Sequence, residues 1–361
     1  MVNHLYVHIP FCPKVCPYCS FYKETSDRNK TNAFLDALLE EASRVSCNLQ
    51  PRTIFFGGGT PTALSTPQLQ FLITGLRERL DFSQVEEFTI EMNPATVSHE
   101  KAAALLALGV NRVSMGVQSW DDGLLKTLGR VHSGAQAERS YQILREVGFP
   151  QVNLDLIFGI PGQSSSQWHH SLLRTVELGP DHISAYCLTY EEDTEFFLRF
   201  QAGEFQLNDA RDADFFEMAM DVLEPAGYAQ YEISNYARAG RSCLHNIAYW
   251  HGADYLGLGP SAFSTHAGRR WRNIPDTAEY TRRVLSGEPP WDVEEFLDRE
   301  TLASEVLAFS LRTSVGISQS DVPVQKSLSL ESLGVIERSG DRFLLTRRGK
   351  LLADEIAAEL L

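Results

Sequence analysis

Leu5-Tyr-Val-His-Ile-Pro-Phe-Cys12-Pro-Lys-Val-Cys16-Pro-Tyr-Cys19-Ser-Phe21 joins a short β-branched and aromatic run to a turn that carries three cysteines at C-x-x-x-C-x-x-C spacing. The run predicts a first strand over 5–9, and the proline-punctuated stretch after it predicts a loop. Three thiolates on one loop can wrap a single metal centre. Four-iron clusters are held by Cys thiolates, normally four, so three ligands leave one iron open to a reactive molecule. A zinc knuckle completed by His4 or His8 competes with this, because three cysteines and a histidine form an accepted tetrahedral set. Three buried thiols are the plainest alternative.

Outward from that loop, one unit recurs as far as Tyr190: an apolar, β-branched or aromatic run, a glycine or polar turn, then a stretch of helical period. Strands are predicted at 5–9, 53–56, 88–91, 112–117, 152–157 and 182–189. Between them, Phe34, Leu35, Leu38, Leu39, Ala42 and Val45, then Leu69, Leu72, Ile73, Leu76 and Leu80, fall at spacings of one, three or four. Strands alternating with helices imply a parallel sheet in an α/β protein. Six such units fit an incomplete (β/α)6 barrel, with an open doubly wound sheet as the rival, since periodicity does not say whether the sheet closes.

Past Tyr190 the rhythm stops. Helical and acidic segments lead to a glycine-rich stretch at 252–268 and a helix near 302–311. The segments 328–333, 335–338, the turn Ser339-Gly340-Asp341, 343–346 and 351–360 read helix, hairpin, helix, a winged-helix pattern. The expected division is therefore 1–190 for the partial barrel, 191–300 for a second region and 301–361 for a C-terminal α+β module. Nucleic-acid binding through Arg338, Arg342, Arg347, Arg348 and Lys350 is one reading of that module. The interleaved Glu337, Asp341, Asp354 and Glu355 favour a packing or lid role instead.

The whole chain of 361 residues is 43% hydrophobic and 22% charged, which excludes disordered, collagen-like and coiled-coil classes. Its 32 Lys+Arg against 47 Asp+Glu give a formal charge of −15, which repels phosphate backbones and argues against a general nucleic-acid partner. The first residues lack a cationic start followed by an apolar core, and no run approaches a membrane span, so a cytoplasmic protein without an integral membrane segment is expected. In that compartment the six cysteines are thiols or metal ligands rather than disulfides. Cys47 and Cys187 fall in a helical stretch and a strand, where a small buried thiol is the default.

Polar groups recur where the predicted strands end. Gly57-Gly58-Gly59-Thr60-Pro61 follows the second, Glu91 closes the third, Gln118 the fourth, and Asp155 lies in the fifth. In β/α barrels those ends carry the active site. Adjacent glycines let backbone amides approach a ligand, carboxylates accept ribose hydroxyls or balance a cation, and Arg130 is suited to clamp a carboxylate. Each has a structural alternative as a turn, a helix cap or a surface arginine; together with the thiols they point to one shared site.

These residues resemble the radical S-adenosylmethionine superfamily, whose C-x-x-x-C-x-aromatic-C signature is matched by Cys12, Cys16, Tyr18 and Cys19. Tyr6-Val-His-Ile-Pro-Phe-Cys12, Gly57 to Pro61, Gly116-Val-Gln118-Ser, Leu128-Gly-Arg130-Val-His132 and Asn153-Leu-Asp155-Leu-Ile with Gly159-Ile-Pro161 look, more narrowly, like the oxygen-independent coproporphyrinogen III dehydrogenase group and its paralogues. The resemblance spans nearly the whole chain and chooses the incomplete barrel. It implies a 4Fe-4S cluster on Cys12, Cys16 and Cys19, with the amino and carboxylate groups of S-adenosylmethionine on the fourth iron. It also implies cofactor contacts from Tyr6, Gly58, Gly59, Thr60, Glu91, Gln118, Arg130 and Asp155, and an electron donor for the cluster.

The dehydrogenase branch has a longer N-terminal arm and a fourth cysteine two residues past the third; here Tyr6 is almost at the start and Phe21 stands at that position. Cys19-Ser-Phe21 and His245-Asn-Ile-Ala-Tyr249-Trp250 resemble instead the heme-chaperone (HemW-like) branch and its H-N-x-x-Y-W pattern. This implies heme as cargo and a heme-accepting apoprotein as partner. His245 offers an imidazole for heme iron, and Tyr249 and Trp250 flat faces for a porphyrin; a hydrogen-bonded structural histidine among ordinary core aromatics is the alternative. Cys243 is a lesser candidate for ligating or attaching heme. The rivals in function are the dehydrogenase itself, decarboxylating propionates by radical chemistry, and a zinc-stabilised winged-helix DNA-binding protein.

Overall fold

Along each of six strands, residues two apart share a face, and the two faces differ sharply in chemistry. We describe them in a computed structural model that covers residues 1–25 and 28–361. The strands are β1 (Val2–Ile9), β2 (Leu49–Gly58), β3 (Glu87–Met92), β4 (Arg112–Gln118), β5 (Gln151–Phe158) and β6 (His182–Cys187). Helices α1 (Arg28–Val45), α2 (Thr66–Arg79), α3 (His99–Ala107), α4 (Gly134–Val147) and α5 (Ser165–Leu178) join them. Leu5, Val7, Ile54, Phe56, Val113, Met115, Val152 and Leu154 are fully buried against this helical layer. The opposite face presents His4, Tyr6 and His8 on β1, Thr53 and Phe55 on β2, Glu87 and Glu91 on β3, Arg112 and Ser114 on β4, and Asn153 and Asp155 on β5. The lumen is thus polar, unlike the side-chain-filled interior of a complete (β/α)8 barrel.

All six strands run parallel in chain order, as the alternation predicts. Capping boxes at Ser65/Gln68 and Ser164/Gln167 start α2 and α5, each satisfying orphan amides of the first turn. After β6 come α6 (Glu195–Gln201) and α7 (Asp209–Leu223), then a short hairpin, β7 (Ala229–Glu232) and β8 (Asn235–Ala237), antiparallel to β6. At the other end, β9 (Leu256–Leu258) pairs in parallel with β1. The nine-stranded sheet runs β9-β1-β2-β3-β4-β5-β6-β8-β7, and its two ends do not pair. This is an incomplete barrel.

Helix α8 (Leu244–Trp250) connects one end of the sheet to the other, lying between β8 and β9 in the chain. The glycine-rich stretch beyond it supplies β9 and β10 (Phe263–His266), and β10 pairs with β11 (Arg269–Asn273), which in turn pairs with β12 (Trp291–Phe296). Between the last two lies α9 (Thr277–Leu285). Buried Glu41 of α1 binds this region to the barrel, accepting from the Gly259 amide (2.9 Å), Asn273 Nδ2 (2.7 Å) and the Tyr280 hydroxyl (2.5 Å).

Helix α10 (Arg299–Leu311) leads into β13 (Ile317–Ser318), α11 (Val324–Ser332), β14 (Ile336–Ser339), β15 (Arg342–Leu345) and α12 (Ala353–Leu360), with a separate apolar core that includes Leu311, Leu330, Phe343 and Ile356. Its basic side chains are engaged within the molecule: Arg338 with Glu331, Arg342 with the carbonyls of Val315 and Gly316, Arg347 with Asp221, Arg348 with the Leu333 carbonyl and Lys350 with Gln230.

Candidate functional site: a cysteine-lined cleft beside an aromatic cavity

At the C-terminal ends of the barrel strands, a cleft of about 400 Å³ is lined by Cys12, Cys16 and Cys19 together with Gly58, Gly59, Thr60, Glu91, Gln118, Arg130 and Asp155. Ten of the eleven residues predicted for the cluster and cofactor therefore meet in one place. Tyr6 is the exception: it sits outside this lining, its hydroxyl against His8 Nδ1 (3.1 Å) and its ring stacked on Phe55.

The cysteine loop is held by the glycine run rather than floating over it. Gly59 N–H donates to the Ile9 carbonyl (2.9 Å) and Thr60 N–H to that of Phe11 (2.8 Å), while the Thr60 hydroxyl meets Cys12 Sγ (3.6 Å). A Cβ on Gly59 would lie 2.6 Å from the Pro10 carbonyl oxygen, and Gly58, at φ +104°, would drive one into the His8 ring. The expectation that these amides approach a ligand is corrected in part: those of Gly59 and Thr60 approach the cysteine loop. On its other side the loop meets Arg130, whose Nη1 lies 3.8 Å from Cys16 Sγ and whose Nη2 donates to the Gly116 carbonyl (2.8 Å).

The donor set fits a cluster better than a zinc ion. His8 is committed at both nitrogens, to the Tyr6 hydroxyl and the Tyr22 carbonyl (2.9 Å), and His4 bonds the Thr53 hydroxyl (2.9 Å) low in the lumen. The cleft also has unsatisfied polar atoms: Gln118 Oε1 and Arg130 Nε are buried without a partner, a state that calls for a ligand or water. Gln118 is held at φ +67° where β4 breaks register, a left-handed backbone that L side chains rarely adopt. Burial pushes the Cys12 and Cys19 thiols up, with neighbouring cysteines adding to it.

The two carboxyls differ. Burial, and then Asp155 nearby, push Glu91 up to about 8, with a hydrogen bond from the Gly58 amide opposing. Asp155 accepts from Ser114 Oγ (3.1 Å) and Asn153 Nδ2 (2.7 Å). Asn153 in turn bonds His182 (2.7 Å), and His182 the Tyr231 hydroxyl (2.8 Å). Sequence reasoning missed this supporting layer, and it missed Arg112. Arg112 is fully buried at the cleft floor with Nε unpartnered and no ion pair within 4 Å among the described residues.

Beyond Phe21, Tyr186 and Asn246, which line both spaces, lies a second cavity of about 830 Å³. Tyr249, Trp250, Tyr255, Phe263 and Phe309 make its wall aromatic, and Arg312 stands over the Trp250 ring at 5.5 Å. Helix α8 delivers Tyr249 and Trp250. Its N-terminus is fastened in the lumen by Glu87, which accepts from the amides of Leu244 (2.8 Å) and His245 (3.1 Å) and from Cys243 Sγ (3.3 Å). Cys243 is thereby buried, its thiol pushed up to about 12 by burial first. His245 is 1% exposed, stacked on Phe55, and bonded through Nδ1 to the Thr53 hydroxyl (2.7 Å) and through Nε2 to the Tyr249 hydroxyl (3.0 Å). Burial, with His4 and Arg112 adding, lowers it to about 3, so the ring is neutral. It does not line the cavity, and neither nitrogen is free in this arrangement.

A cysteine-bearing loop after the first strand of a six-strand partial barrel, facing the strand ends, defines a radical S-adenosylmethionine protein, and the sequence pattern of the Radical SAM superfamily matches residues 6–174. The heme chaperone HemW of Bacillus subtilis (strain 168) is 36% identical, with 97% of each chain covered. That of Escherichia coli (strain K12) is 33% identical, over 98% of this chain and 96% of the other. The chain belongs to the HemW family of that superfamily. A solved structure of the radical SAM enzyme coproporphyrinogen III oxidase (HemN) from Escherichia coli superposes with a TM-score of 0.86 at 24% identity, covering 99% of this chain and 90% of that one, which shows the shared fold. No helix among the described residues is long and apolar enough to cross a membrane.

Proposed function

We propose that the protein is a heme chaperone that binds heme and passes it to an acceptor apoprotein, carrying a 4Fe-4S cluster on Cys12, Cys16 and Cys19 with exchangeable S-adenosylmethionine beside it. The observation that carries this reading is the aromatic cavity of about 830 Å³ adjoining the cysteine cleft. Its volume lies within the roughly 300–1,000 Å³ of ligand pockets, and its aromatic wall suits a flat apolar ring. When bound, the cluster with its cofactor supplies one-electron chemistry, and a separate electron donor serves it.

The chain's own residues have distinct tasks in this reading. Arg130 steadies negative charge at Cys16, Gln118 and Asp155 take polar groups of the cofactor, Glu91 answers its positive charge, and Gly58, Gly59, Thr60 and Tyr6 shape the bed beneath. Tyr249 and Trp250 pack against heme, with His245 behind them. Arg312 is placed for a propionate: its partner Asp354 is 83% exposed, and exchanging such a screened ion pair costs little.

An anaerobic heme titration of cluster-reconstituted protein, followed by Soret absorbance with porphyrinogen consumption assayed alongside, tests the proposal. Saturable binding near one heme per chain without turnover is expected. Weak binding with S-adenosylmethionine-dependent decarboxylation would instead make the chain a dehydrogenase.

A further inference from the structure

The geometry points to Tyr249, not His245, as the residue that meets the iron of a heme in the aromatic cavity, with His245 as the positioning residue behind its oxygen. This rests on the heme reading above and deepens it. Heme iron is held by histidine, cysteine, methionine or tyrosine side chains. Among the described residues that line the cavity there is no histidine, cysteine or methionine, whereas three tyrosines, Tyr186, Tyr249 and Tyr255, are present. Tyr249 alone of the three is hydrogen-bonded to an imidazole, at 3.0 Å from His245 Nε2.

That imidazole is the second member of a chain leading away from the cavity. His245 Nδ1 meets Thr53 Oγ1 at 2.7 Å, and the same oxygen meets His4 Nδ1 at 2.9 Å. One direction of donation satisfies every link: Tyr249 O–H to His245 Nε2, His245 Nδ1–H to Thr53 Oγ1, and Thr53 O–H to His4 Nδ1. The Thr53 oxygen then accepts from His245 and gives its one proton to His4, and the far end is half-buried His4.

Ligation follows from this arrangement with its atoms balanced. The Fe(III)–O bond to Tyr249 forms, the weakly held water or anion on the entering ferric heme leaves, and the phenol proton passes along the chain to His4. No electron moves. Release reverses it: the proton returns, the Fe–O bond breaks, and Tyr249 is again a phenol bonded to His245.

The test is the spectrum of the cluster-reconstituted full-length protein titrated anaerobically with ferric heme, read by phenolate-to-iron charge-transfer absorption and resonance Raman phenolate modes. The wild type is expected to show both and Tyr249→Phe neither. His245→Gln should keep them, shifted, with affinity lowered by about 10–100-fold, the usual effect of losing the group behind a ligand. Iron, sulfide and S-adenosylmethionine binding monitor folding of each variant, and the wild-type spectrum decides even where a variant fails to accumulate. Heme bound by the wild type without phenolate modes overturns the assignment and leaves the chaperone reading standing. Retention of the modes in Tyr249→Phe, or their loss in Tyr255→Phe, also overturns it. No heme uptake by the wild type removes the reading beneath and this inference together.

Discussion

Glu91 is a buried carboxyl whose proton is held up to about 8 against an ordinary 4.5, so the folded chain binds a proton there that the unfolded chain has released. Its contribution to stability is complete below 4.5 and is lost as the pH rises through 8. Glu41, raised to about 7 by burial, acts in the same direction. Denaturant unfolding of the cluster-free protein should therefore show stability falling across this window, with a shallower fall in Glu91→Gln; an unchanged slope would remove Glu91 as a contributor. At this scale the sequence was most informative about the cysteines, because C-x-x-x-C-x-x-C is local and its chemistry narrow. It was least informative about Arg112 and Glu87, whose meaning depends on a lumen assembled from distant strands. His245 lies between the two: the motif marked it, but only the fold shows that both its nitrogens are taken.

The six barrel strands were legible because each couples an apolar face to a helix of clear period. The short elements were not. Strand β9 is three residues long, the strands of the β7–β8 hairpin are four and three, too short for an alternation to be read, and α8 has seven residues, too few for two turns of period. Tertiary contacts define them, and for α8 the decisive one is Glu87. Three donors converge on that carboxylate. Glu87→Ala should leave them buried and unsatisfied, costing about 1–3 kcal/mol or more. Urea unfolding would measure this, and Glu87→Gln, which keeps an acceptor, should recover part of it. An unaltered midpoint in Glu87→Ala would mean that α8 is held by its packing alone.

At the scale of the whole molecule, α10 belongs to two environments. Its Leu302, Val306 and Phe309 line the aromatic cavity, while Leu311 at its end enters the core of the C-terminal module. Phe309 meets Trp250 edge-on at 6.0 Å. Such a pair contributes about 0.5–1.5 kcal/mol, so Phe309→Ala should weaken heme binding by up to roughly tenfold while cluster iron and S-adenosylmethionine binding stay as they were. Equal losses in all three would show a folding defect rather than a cavity effect.

The unpaired ends of the sheet have a consequence for how such a molecule can change. In a closed ring of strands, enlarging the interior means altering every staggered pair around the circumference. Here the chain passes from β8 to β9 through one seven-residue helix, which acts as a replaceable shim. Substitutions on its cavity side, at Tyr249 and Trp250, can resize the compartment for a bulkier or slimmer guest while the cysteine loop keeps its position, whereas Asn246, which lines both spaces, ties cargo and cofactor chemistry together.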